Sequence, residues 1–330
     1  ISIAGTGPTK CVFRQTNASA THGVNFGYTT VLQGGGISGI TIESGAGWMS
    51  AGFQGTGCTG IGLGVSNVND LFLASDVHIN NFAIGIQLNS GYQPHFENFR
   101  ILYFSTAGVK LAGYSGSGTD LAGSQWRAGK ISNYGASFST PENSIGIHLQ
   151  QASGEFFRDI DITFAGYGVL ANPGATSWVR FARFANVLAD SSYYEGWTFD
   201  GGAGGYVVDC EMVACWSAGS GGGNNRPAGS VRGAGLLTKG ANLDDIRWLG
   251  GTLRDNDCGG WDHQGGNNCR IVGATISRNS RRGGFDNTYP GVRVRADVNA
   301  FSIINCTIGN VSQGVFTCSQ AEGIVIDAGG

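Results

Sequence analysis

The chain has 330 residues, of which 41% are apolar and 13% are charged, and 58 are glycine. Its net charge of −3 offers no basic surface for nucleic acid or an anionic membrane, and no apolar run reaches the roughly 18 residues needed to span a bilayer. With 18 Phe and 7 Trp the chain can build a core, so the glycine content predicts turns rather than disorder.

A glycine followed by an apolar, any, apolar triplet recurs along the whole chain. The recurring glycines are Gly39, Gly60, Gly85, Gly108, Gly146, Gly168, Gly196, Gly235, Gly260, Gly291 and Gly314. They are separated by about 22–25 residues, with a few longer intervals, which is the signature of a solenoid. Apolar and polar residues alternate within each unit, and no stretch has the period of a major helix. The pattern predicts an all-β, right-handed parallel β-helix of about a dozen coils, forming one domain over residues 1–330 that continues beyond both ends.

Eight cysteines are spread along the chain without a C-x-x-C pair, and histidines are sparse near them. They are Cys11, Cys58, Cys210, Cys215, Cys258, Cys269, Cys306 and Cys318. Buried free thiols are the favoured interpretation, with one or two disulfides as the alternative. We expect no metal site and no cofactor, with Ca²⁺ as an exception if the protein is a lyase.

Two segments resemble a known superfamily. Residues 1–7 (Ile-Ser-Ile-Ala-Gly-Thr-Gly) resemble the I-x-G-x-G opening of pectate-lyase-like β-helix proteins, and 268–279 resemble their coil consensus. Long loops, low charge and abundant Gly, Ser and Asn are most similar to the central domain of phage tailspike depolymerases. The resemblance implies a homotrimer, on a virion tail or otherwise extracellular, that cleaves bacterial surface polysaccharide without nucleic-acid or membrane partners.

β-Helix families with well-defined catalytic motifs fit the sequence less well. Polygalacturonases carry Asn-Thr-Asp, Asp-Asp, Gly-His-Gly and Arg-Ile-Lys motifs, whereas this chain has only the pair Asp244-Asp245 and no Gly-His-Gly. The calcium-binding aspartates and catalytic arginine of pectate lyases have no clear equivalent. Candidate site residues must therefore be inferred from the predicted positions of side chains on the coils.

Alignment of the coils on Thr275 predicts two outward columns of side chains. The first is His78, Arg100, Lys130, Asp161, Asn186, Glu211, Thr252, Thr275 and Thr307. The second, two residues earlier, is Asp76, Asn98, Ala128, Asp159, Phe184, Asp209, Gly250, Gly273 and Asn305. Glu211 and Asp161 are the predicted acid and base, with Asp209 and Asp159 tuning their pKa values. Asp190 and Glu195, in the next turn, are competing candidates.

Insertions near 138–144, 218–233 and 280–290 fall in one turn of the predicted coil and would form the walls of a groove. Aromatic and basic side chains near the acidic cluster are predicted to bind the polysaccharide through ring faces and hydrogen bonds. They are Tyr167, Trp178, Tyr193, Tyr194, Trp197, Trp216, Arg100 and Lys130.

Three functions fit this groove. In a hydrolase, Asp161 and Glu211 two coils apart would be separated by about 9–10 Å, which favours inversion. In a lyase, the acids would neutralise a uronate, through Ca²⁺ in one variant, and Lys130, Arg100, Tyr167 or His148 would abstract the proton. The third function is a non-catalytic carbohydrate adhesin or structural spike.

Structural roles are the alternative for each acid. The four candidate carboxylates could solvate an exposed strand or pair with Arg158, Arg180 or Arg183. A second acidic group, Asp255, Asp257, Asp262 and His263 beside Trp261, is predicted to form turns rather than a site.

Overall fold

The computed structural model describes residues 2–8, 11–15, 22–32, 34–44, 60–113, 121–133, 143–221, 232–280, 288–295, 298–309 and 322–327. Within these residues all strand pairs are parallel and there is no α-helix. The strands form two long sheets wound around one core. The fold is the predicted right-handed parallel β-helix.

Sheet A has 19 strands and covers three adjacent sides of each coil. Its strands are β1 (Ser2–Ala4), β2 (Val12–Gln15), β4 (Gly35–Ser44), β6 (Phe72–Asn80), β9 (His95–Glu97), β10 (Arg100–Leu102), β13 (Gln125–Ser132), β15 (Ala152–Ser153), β16 (Phe156–Thr163), β18 (Trp178–Arg180), β19 (Arg183–Asp190), β21 (Tyr206–Val213), β22 (Trp216–Ala218), β24 (Leu243–Leu249), β25 (Thr252–Arg254), β27 (Arg270–Val272), β28 (Thr275–Ser277), β30 (Ser302–Ile304) and β31 (Thr307–Gly309).

Sheet B has 13 strands in the described residues and forms the fourth side, apart from two short strands, 91–92 and 121–122, that lie on the first side. Its strands are β3 (His22–Leu32), β5 (Ile61–Val68), β7 (Ile84–Leu88), β8 (Gly91–Tyr92), β11 (Ala107–Leu111), β12 (Leu121–Ala122), β14 (Ile145–Leu149), β17 (Tyr167–Ala171), β20 (Trp197–Asp200), β23 (Leu236–Lys239), β26 (Trp261–His263), β29 (Val292–Val294) and β32 (Ile324–Ile326).

Left-handed residues turn the chain from one side of sheet A to the next. In one coil these first, second and third corners are Gly154 (φ 76°), Asp159 (φ 55°) and Phe164 (φ 58°). The second corner is repeated by Asp76, Asn98, Ala128, Asp159, Asn186, Ala214, Gly250, Gly273 and Asn305. The predicted second column is therefore a corner rather than a strand position. Two of its assignments are wrong, because Phe184 is in the core and Asp209 occupies the first corner.

The third side, between the second and third corners, carries the predicted first column. Two of the predicted assignments, Asn186 and Glu211, are wrong, because Leu188 and Trp216 occupy these positions. The register of this side is His78, Arg100, Lys130, Asp161, Leu188, Trp216, Thr252, Thr275 and Thr307. Glu211 lies instead on the second side, between Arg183 and Arg247. The pattern Asp-apolar-acid occurs at both 159–161 and 209–211, so the alternation alone could not separate one side from the next. The predicted Asp161–Glu211 pair, and the inversion deduced from its spacing, therefore have no basis in the fold.

Stacked aromatic side chains fill the core beneath the second side. The ring centroids of Phe96 and Trp126 are 3.8 Å apart and those of Phe157 and Phe184 are 5.0 Å apart, with interplanar angles of 5° and 10°. All four side chains are fully buried. Such pairs add about 0.5–1.5 kcal/mol each beyond the burial of their area.

The repeating positions require glycine because the backbones of adjacent coils approach closely there, not because the chain turns. A Cβ on Gly85 would lie 2.6 Å from the carbonyl oxygen of Gly108, and one on Gly108 would lie 2.8 Å from that of Gly146. Both glycines have ordinary φ angles, so the prediction that glycines serve turns is wrong for this column. The column also contains Gly62 rather than Gly60, because Gly62 and not Gly60 is in register with Gly85. Predicted marker Gly39 is a left-handed corner, and Gly314 lies outside the described residues.

The predicted insertions near 138–144, 218–233 and 280–290 lie mainly outside the described residues. Their flanking strands are β13 and β14, β22 and β23, and β28 and β29. All three therefore leave the third side and return to sheet B, which is one turn of the coil, as predicted.

Six cysteines lie within the described residues, and no disulfide joins any two of them. They are Cys11, Cys210, Cys215, Cys258, Cys269 and Cys306, while Cys58 and Cys318 lie outside. Burial raises the pKa of Cys210, Cys215 and Cys269 to about 12. The prediction of buried thiols is confirmed for Cys210, Cys215, Cys258 and Cys269. The described chain also has no helix that is long and apolar enough to cross a membrane.

Candidate functional site

Asp161 and Asp159 both have positively charged neighbours. Asp161 Oδ2 lies 3.7 Å from Lys130 Nζ on the exposed third side. Asp159, at the second corner, accepts hydrogen bonds from Asn186 Nδ2 at 2.8 Å and Arg158 Nε at 2.9 Å. These hydrogen bonds lower the pKa of Asp159. Its contacts are those of a corner residue that stabilises the stacking of adjacent coils.

Asp209 and Glu211 share one cation, Arg247, on the next coil. The guanidinium contacts Asp209 and lies 3.6 Å from Glu211 Oε2 and 3.5 Å from Asp245 Oδ1. The three carboxylates converge on this side because Glu211 and Arg247 are in register. Ion pairing therefore accounts for their position, although the partner is Arg247 rather than the predicted Arg158, Arg180 or Arg183.

The predicted aromatic residues do not form one surface. Trp197 is fully buried and Tyr193 is 6% exposed, so neither ring is available to a groove. Trp178 lies on the first side and Trp216 on the third, where Arg254 stacks over the Trp216 ring at 4.7 Å. Trp197 was predicted to lie on the surface, but its strand position is in register with the buried Val169 and faces the core.

Three of the predicted residues do come together: Tyr167, Tyr194 and Glu195 lie where the chain enters sheet B. A cavity of about 620 Å³ opens there over the outer face of the sheet. We call it the main cavity, and its polar lining includes Tyr167, Glu195, Arg232, Lys239, Asp262 and Arg295. Arg232 and Tyr289, which line this cavity, are described residues of the predicted insertions 218–233 and 280–290. Asp190, the other competing candidate, lies on the third side instead.

Glu195 is a buried carboxylate with a bidentate partner. Arg232 Nη2 lies 3.0 Å from its Oε2, and Arg232 Nε donates to Oε1 at 3.3 Å. The backbone N–H of Gly233 donates to Oε1 at 3.4 Å. Since the side chain is only 3% exposed, these donors replace the water that a buried carboxylate loses.

Arg232 in turn is stacked against two tyrosines. Its guanidinium carbon lies 3.9 Å from the ring centroid of Tyr194 and 5.1 Å from that of Tyr167, and its Nη2 donates to the Tyr167 hydroxyl. Burial acts to lower the pKa of Arg232, but the Glu195 carboxylate and the Tyr167 hydroxyl outweigh it and raise this pKa above its ordinary value. The four side chains therefore pack together, and three of them, Tyr167, Glu195 and Arg232, form one wall of the main cavity.

Asp262 is the second carboxylate of the main cavity. Arg295 donates to its two oxygens at 3.1 and 2.9 Å, and Gln264 Nε2 donates to Oδ2 at 2.8 Å. The side chain is 19% exposed and so is more accessible than Glu195. Asp262 lies within β26 and points outward, so its predicted role as a turn former is wrong, whereas Asp255 (φ 57°) does form a corner.

Two further ion pairs continue along the outer face of sheet B. Lys239 Nζ lies 2.9 Å from Asp200 Oδ2, and Arg293 Nη2 lies 3.1 Å from Asp327 Oδ2. Together with the two pairs described above, they make four arginine or lysine to carboxylate pairs on this face of the described chain. The surface is rich in hydrogen-bonding groups, and most of its charged side chains are paired, which suits a hydroxyl-rich ligand. In the described chain no three His, Cys, Asp or Glu side chains converge as metal ligands.

Sequence reasoning did not select Arg232 and Arg295, and it assigned Asp262 to a turn. One available signal was the glycine column, because residues two positions after these glycines face outward from sheet B. This position is occupied by Lys110, His148, Leu170, Thr198, Leu237, Asp262 and Arg293. Arg232 had no such signal, since it precedes its glycine in an irregular turn.

Comparison with known proteins reveals similarity of fold. The siphovirus 9NA tailspike receptor binding domain is 12% identical, with 100% of this chain and 73% of that chain covered and a TM-score of 0.52. The two chains share the parallel β-helix fold. The catalytic domain of a GH87 α-1,3-glucanase is 11% identical over 98% of this chain and 67% of that chain, with a TM-score of 0.49.

The enzymatically active domain of bacteriophage CBA120 tailspike protein 2 is 13% identical over 98% of this chain, with a TM-score of 0.42. This chain spans only 38% of that protein's chain. No family model matches the sequence, and no curated protein matches it.

Proposed function

We propose that this protein binds a polysaccharide along the outer face of sheet B and hydrolyses its glycosidic bonds in the main cavity. The observation that carries the proposal is the presence of two carboxylates, Glu195 and Asp262, in one cavity of about 620 Å³. The polar face with its paired charges extends past this cavity and offers hydrogen-bond partners to several successive sugars. The names of the similar structures, two tailspikes and a glucanase, support the same substrate class.

Hydrolysis needs one carboxylic acid to protonate the leaving glycosidic oxygen and one carboxylate to take a proton from water or to attack the anomeric carbon. Asp262 is assigned the acid–base role because it is the more accessible of the two. Glu195 is assigned the second role, in which Arg232 orients its oxygens. In direct displacement the glycosidic C–O bond breaks as Asp262 gives its proton to the leaving oxygen, water bonds to the anomeric carbon, and the proton that this water loses passes to Glu195. If Glu195 attacks instead, water hydrolyses the resulting ester and its proton returns to Asp262.

A β-elimination reaction is the second candidate, favoured by the hydrogen bond from Arg232 to the Tyr167 hydroxyl. In this reaction the Tyr167 oxygen would take the proton next to a uronate carboxyl group, with Ca²⁺ or Arg295 neutralising the carboxylate. A carbon–carbon double bond forms as the glycosidic C–O bond breaks, and the leaving oxygen takes a proton from water. Of the other predicted bases, Arg100 and Lys130 lie on the third side, and His148 is only 7% exposed on sheet B. Tyr167 is therefore the favoured base in this alternative.

Assembly and location belong to the same proposal. A homotrimer mounted on a virion tail, or otherwise extracellular, is supported by the tailspike names among the similar structures. Sedimentation of the purified protein tests this assembly, and a monomer at all concentrations would contradict it.

A product assay on a panel of bacterial surface polysaccharides tests the activity. New reducing ends without an unsaturated product support hydrolysis, whereas the ultraviolet absorbance of an unsaturated uronate supports elimination. Binding to a polysaccharide without either product would contradict both reactions and support an adhesin.

A further inference from the structure

Two aromatic side chains lie next to each other on the first side of the β-helix. Trp178 begins β18 and Tyr206 begins β21, and the two residues are in register on adjacent coils. The residues that follow them, Val179 and Val207, are fully buried, so alternation points both aromatic side chains outward. The strand spacing places their backbones about 4.8 Å apart. We call this pair, together with Phe181 at the first corner, the first-side patch.

The first-side patch is accessible to solvent. Tyr206 is 56% exposed and Phe181 is 46% exposed, while Trp178 is partly buried. All three residues lie within the described range 143–221. None of them lines the main cavity, so the patch has to be explained separately.

A cation holds the Trp178 ring in place. The guanidinium carbon of Arg180 lies 5.0 Å from the centroid of this ring, and Arg180 Nε donates to Ser153 Oγ at 3.1 Å. Arg180 and Ser153 are in register on adjacent coils, so the hydrogen bond joins the cation to the preceding strand. A ring that is already fixed loses little conformational entropy when a ligand stacks on it.

Phe181 has a backbone conformation that is unfavourable for its side chain. Its φ of 57° is left-handed, which a bulky residue adopts only at a cost in free energy. Other coils have Gly123, Gly154 or Asn268 at this first corner, and these residues adopt the conformation at lower cost. Because the Phe181 ring is nearly half exposed, its burial offsets only part of this cost. Strain at an accessible residue of this kind is typical of functional positions.

Polar groups border the first-side patch at both ends. The column beside the two rings consists of Arg180, Val208 and Asp244 on three successive coils. The backbones of Arg180 and Asp244 are therefore about 9–10 Å apart. Asp244 Oδ1 accepts a hydrogen bond from Asn268 Nδ2 at 2.9 Å. A guanidinium donates and a carboxylate accepts hydrogen bonds, so a ligand rich in hydroxyl groups can bond to both ends.

The area of the patch favours a small ligand over a protein. A fully accessible aromatic side chain offers about 150–250 Å², so three that are about half exposed or less offer roughly 200–350 Å² together. A stable protein interface needs about 800 Å² on each partner. Pyranose rings match this smaller area, because their C–H faces pack on aromatic rings while their hydroxyl groups bond to polar groups at the edge.

The patch also adjoins the face that we propose to bind polysaccharide. Lys239 lines the main cavity, and its Nζ lies 2.9 Å from Asp200 Oδ2. Asp200 ends β20, and the backbone N–H of Gly202 donates to its Oδ1 at 2.9 Å. The chain then turns through 201–205 and begins β21 at Tyr206. A polymer that leaves the main cavity past Lys239 therefore reaches Tyr206 across this single turn.

We propose that the first-side patch is a second carbohydrate-binding site, which holds neutral pyranose rings against Trp178 and Tyr206 with Phe181 at its edge. The polysaccharide is that of the proposed function, but binding here needs neither carboxylate of the main cavity. The three rings offer contact area rather than acid–base groups, so the site holds the polymer while cleavage takes place elsewhere.

Fluorine NMR of the protein labelled with fluorotryptophan tests this site with cellobiose, maltose and lactose as probes. Trp178→Phe and Trp261→Phe assign two resonances, of which Trp178 reports on the first-side patch and Trp261, which lines the main cavity, reports on that cavity. We expect at least one disaccharide to shift the Trp178 resonance in a saturable manner. Tyr206→Ala should weaken this binding by at least about tenfold, because it removes one of the two stacking surfaces.

Tyr92→Ala is the matched control for Tyr206→Ala. It removes another tyrosine of the first side that is also 56% exposed, in register with Ala122. It should leave the binding measured at Trp178 unchanged. Equal binding by Tyr206→Ala and wild type would overturn the proposal.

The two reporters distinguish this proposal from the proposed function. A shift of Trp261 without a shift of Trp178 for all three disaccharides would support the main cavity and overturn the second site. A shift of Trp178 alone would support the second site without the main cavity. Cyclohexanol that binds at Trp178 as tightly as the disaccharides would reduce the patch to a non-specific apolar surface and overturn its assignment to sugars.

Sedimentation of Tyr206→Ala excludes the other occupant, a second copy of the chain. We expect this variant to sediment like the wild type. A smaller assembly would assign the patch to a contact between copies and overturn the proposal.

A further variant separates the site from the fold. Phe181→Asn places at the first corner the residue type that already occupies it at Asn268. We expect its melting temperature to equal or exceed that of the wild type, because the left-handed strain is relieved, while disaccharide binding at Trp178 becomes weaker. A variant that binds like the wild type would contradict the part of the site assigned to Phe181.

Discussion

Arg232 and Glu195 are 37 residues apart in the chain, yet Arg232 Nη2 lies 3.0 Å from Glu195 Oε2. This contact joins the turn before β23 to the turn before β20 on the preceding coil. It also holds the arginine against Tyr167 and Tyr194, and so it shapes one wall of the main cavity. Both the stability of this wall and the proposed chemistry depend on it.

Replacing either carboxylate of the main cavity by its amide should abolish most cleavage. Glu195→Gln and Asp262→Asn preserve side-chain shape but remove acid–base function, which typically contributes about 10²–10⁴-fold to the rate. We therefore expect a loss of at least about 10²-fold in the initial rate of reducing-end release, with circular dichroism confirming that both variants fold.

Asp161→Asn and Glu211→Gln are matched controls on other sides of the coil and should cleave at close to the wild-type rate. The opposite result, slow controls with active Glu195→Gln and Asp262→Asn variants, would move the site away from the main cavity and back to the acids of sheet A.

Removing Arg232 should destabilise the fold more than removing both partners. Arg232→Met leaves a carboxylate that is 3% exposed without its cation, and because Arg232 itself is 40% exposed we expect a cost of about 2–3 kcal/mol. The double variant Arg232→Met/Glu195→Gln should recover most of this loss. Urea unfolding provides the measurement, and a double variant as unstable as the single one would show that the stacking on the tyrosines, not the ion pair, supplies the stability.

Glu155 should make stability fall as the pH rises. Burial raises the pKa of its carboxyl group from 4.5 to about 7 even though Ser124 and Ser153 donate hydrogen bonds to it. Between these two values the folded protein retains a proton that the unfolded chain has lost, so folding is weakened progressively from about pH 4.5 to about pH 7 and is not weakened further above that range.

Comparing the unfolding free energies of Glu155→Gln and wild type at each pH separates this effect from the titration of other groups. We expect the difference to shift in favour of the variant by about 3 kcal/mol between pH 4.5 and pH 8, from a pKa change of about 2.5 units at 1.36 kcal/mol each. A difference that does not change with pH would mean that Glu155 is ionised in the folded protein throughout.

The glycine column should not tolerate a methyl group. Gly108→Ala would place Cβ 2.8 Å from the Gly146 carbonyl oxygen, and we expect overpacking to cost about 1–3 kcal/mol. Gly174→Ala is the matched control, because a Cβ there would meet nothing within 4 Å. Thermal melting of the two variants compares them directly, and equal melting temperatures would mean that the coils can move apart at little cost.

Period, alternation and glycine spacing were sufficient to predict the solenoid. These signals are local: a strand exposes alternate residues, and the glycines recur because each coil presses its backbone on the next. Burial of the cysteines followed for the same reason, since a thiol at an inward position of the repeat must pack in the core. The turn that carries the insertions was also predictable from where the chain lengthens.

The side of the coil on which each acid lies was decided only by the tertiary structure. Left-handed corners are occupied by Asp, Asn, Ala and Phe as well as Gly, so Asp209 at a corner cannot be distinguished in the sequence from a strand residue. The contacts that build the main cavity depend on long side chains from different coils, such as Arg232 reaching Glu195 and Arg295 reaching Asp262. Alternation specifies which residues face outward, but only the stacking of the coils determines which of them meet.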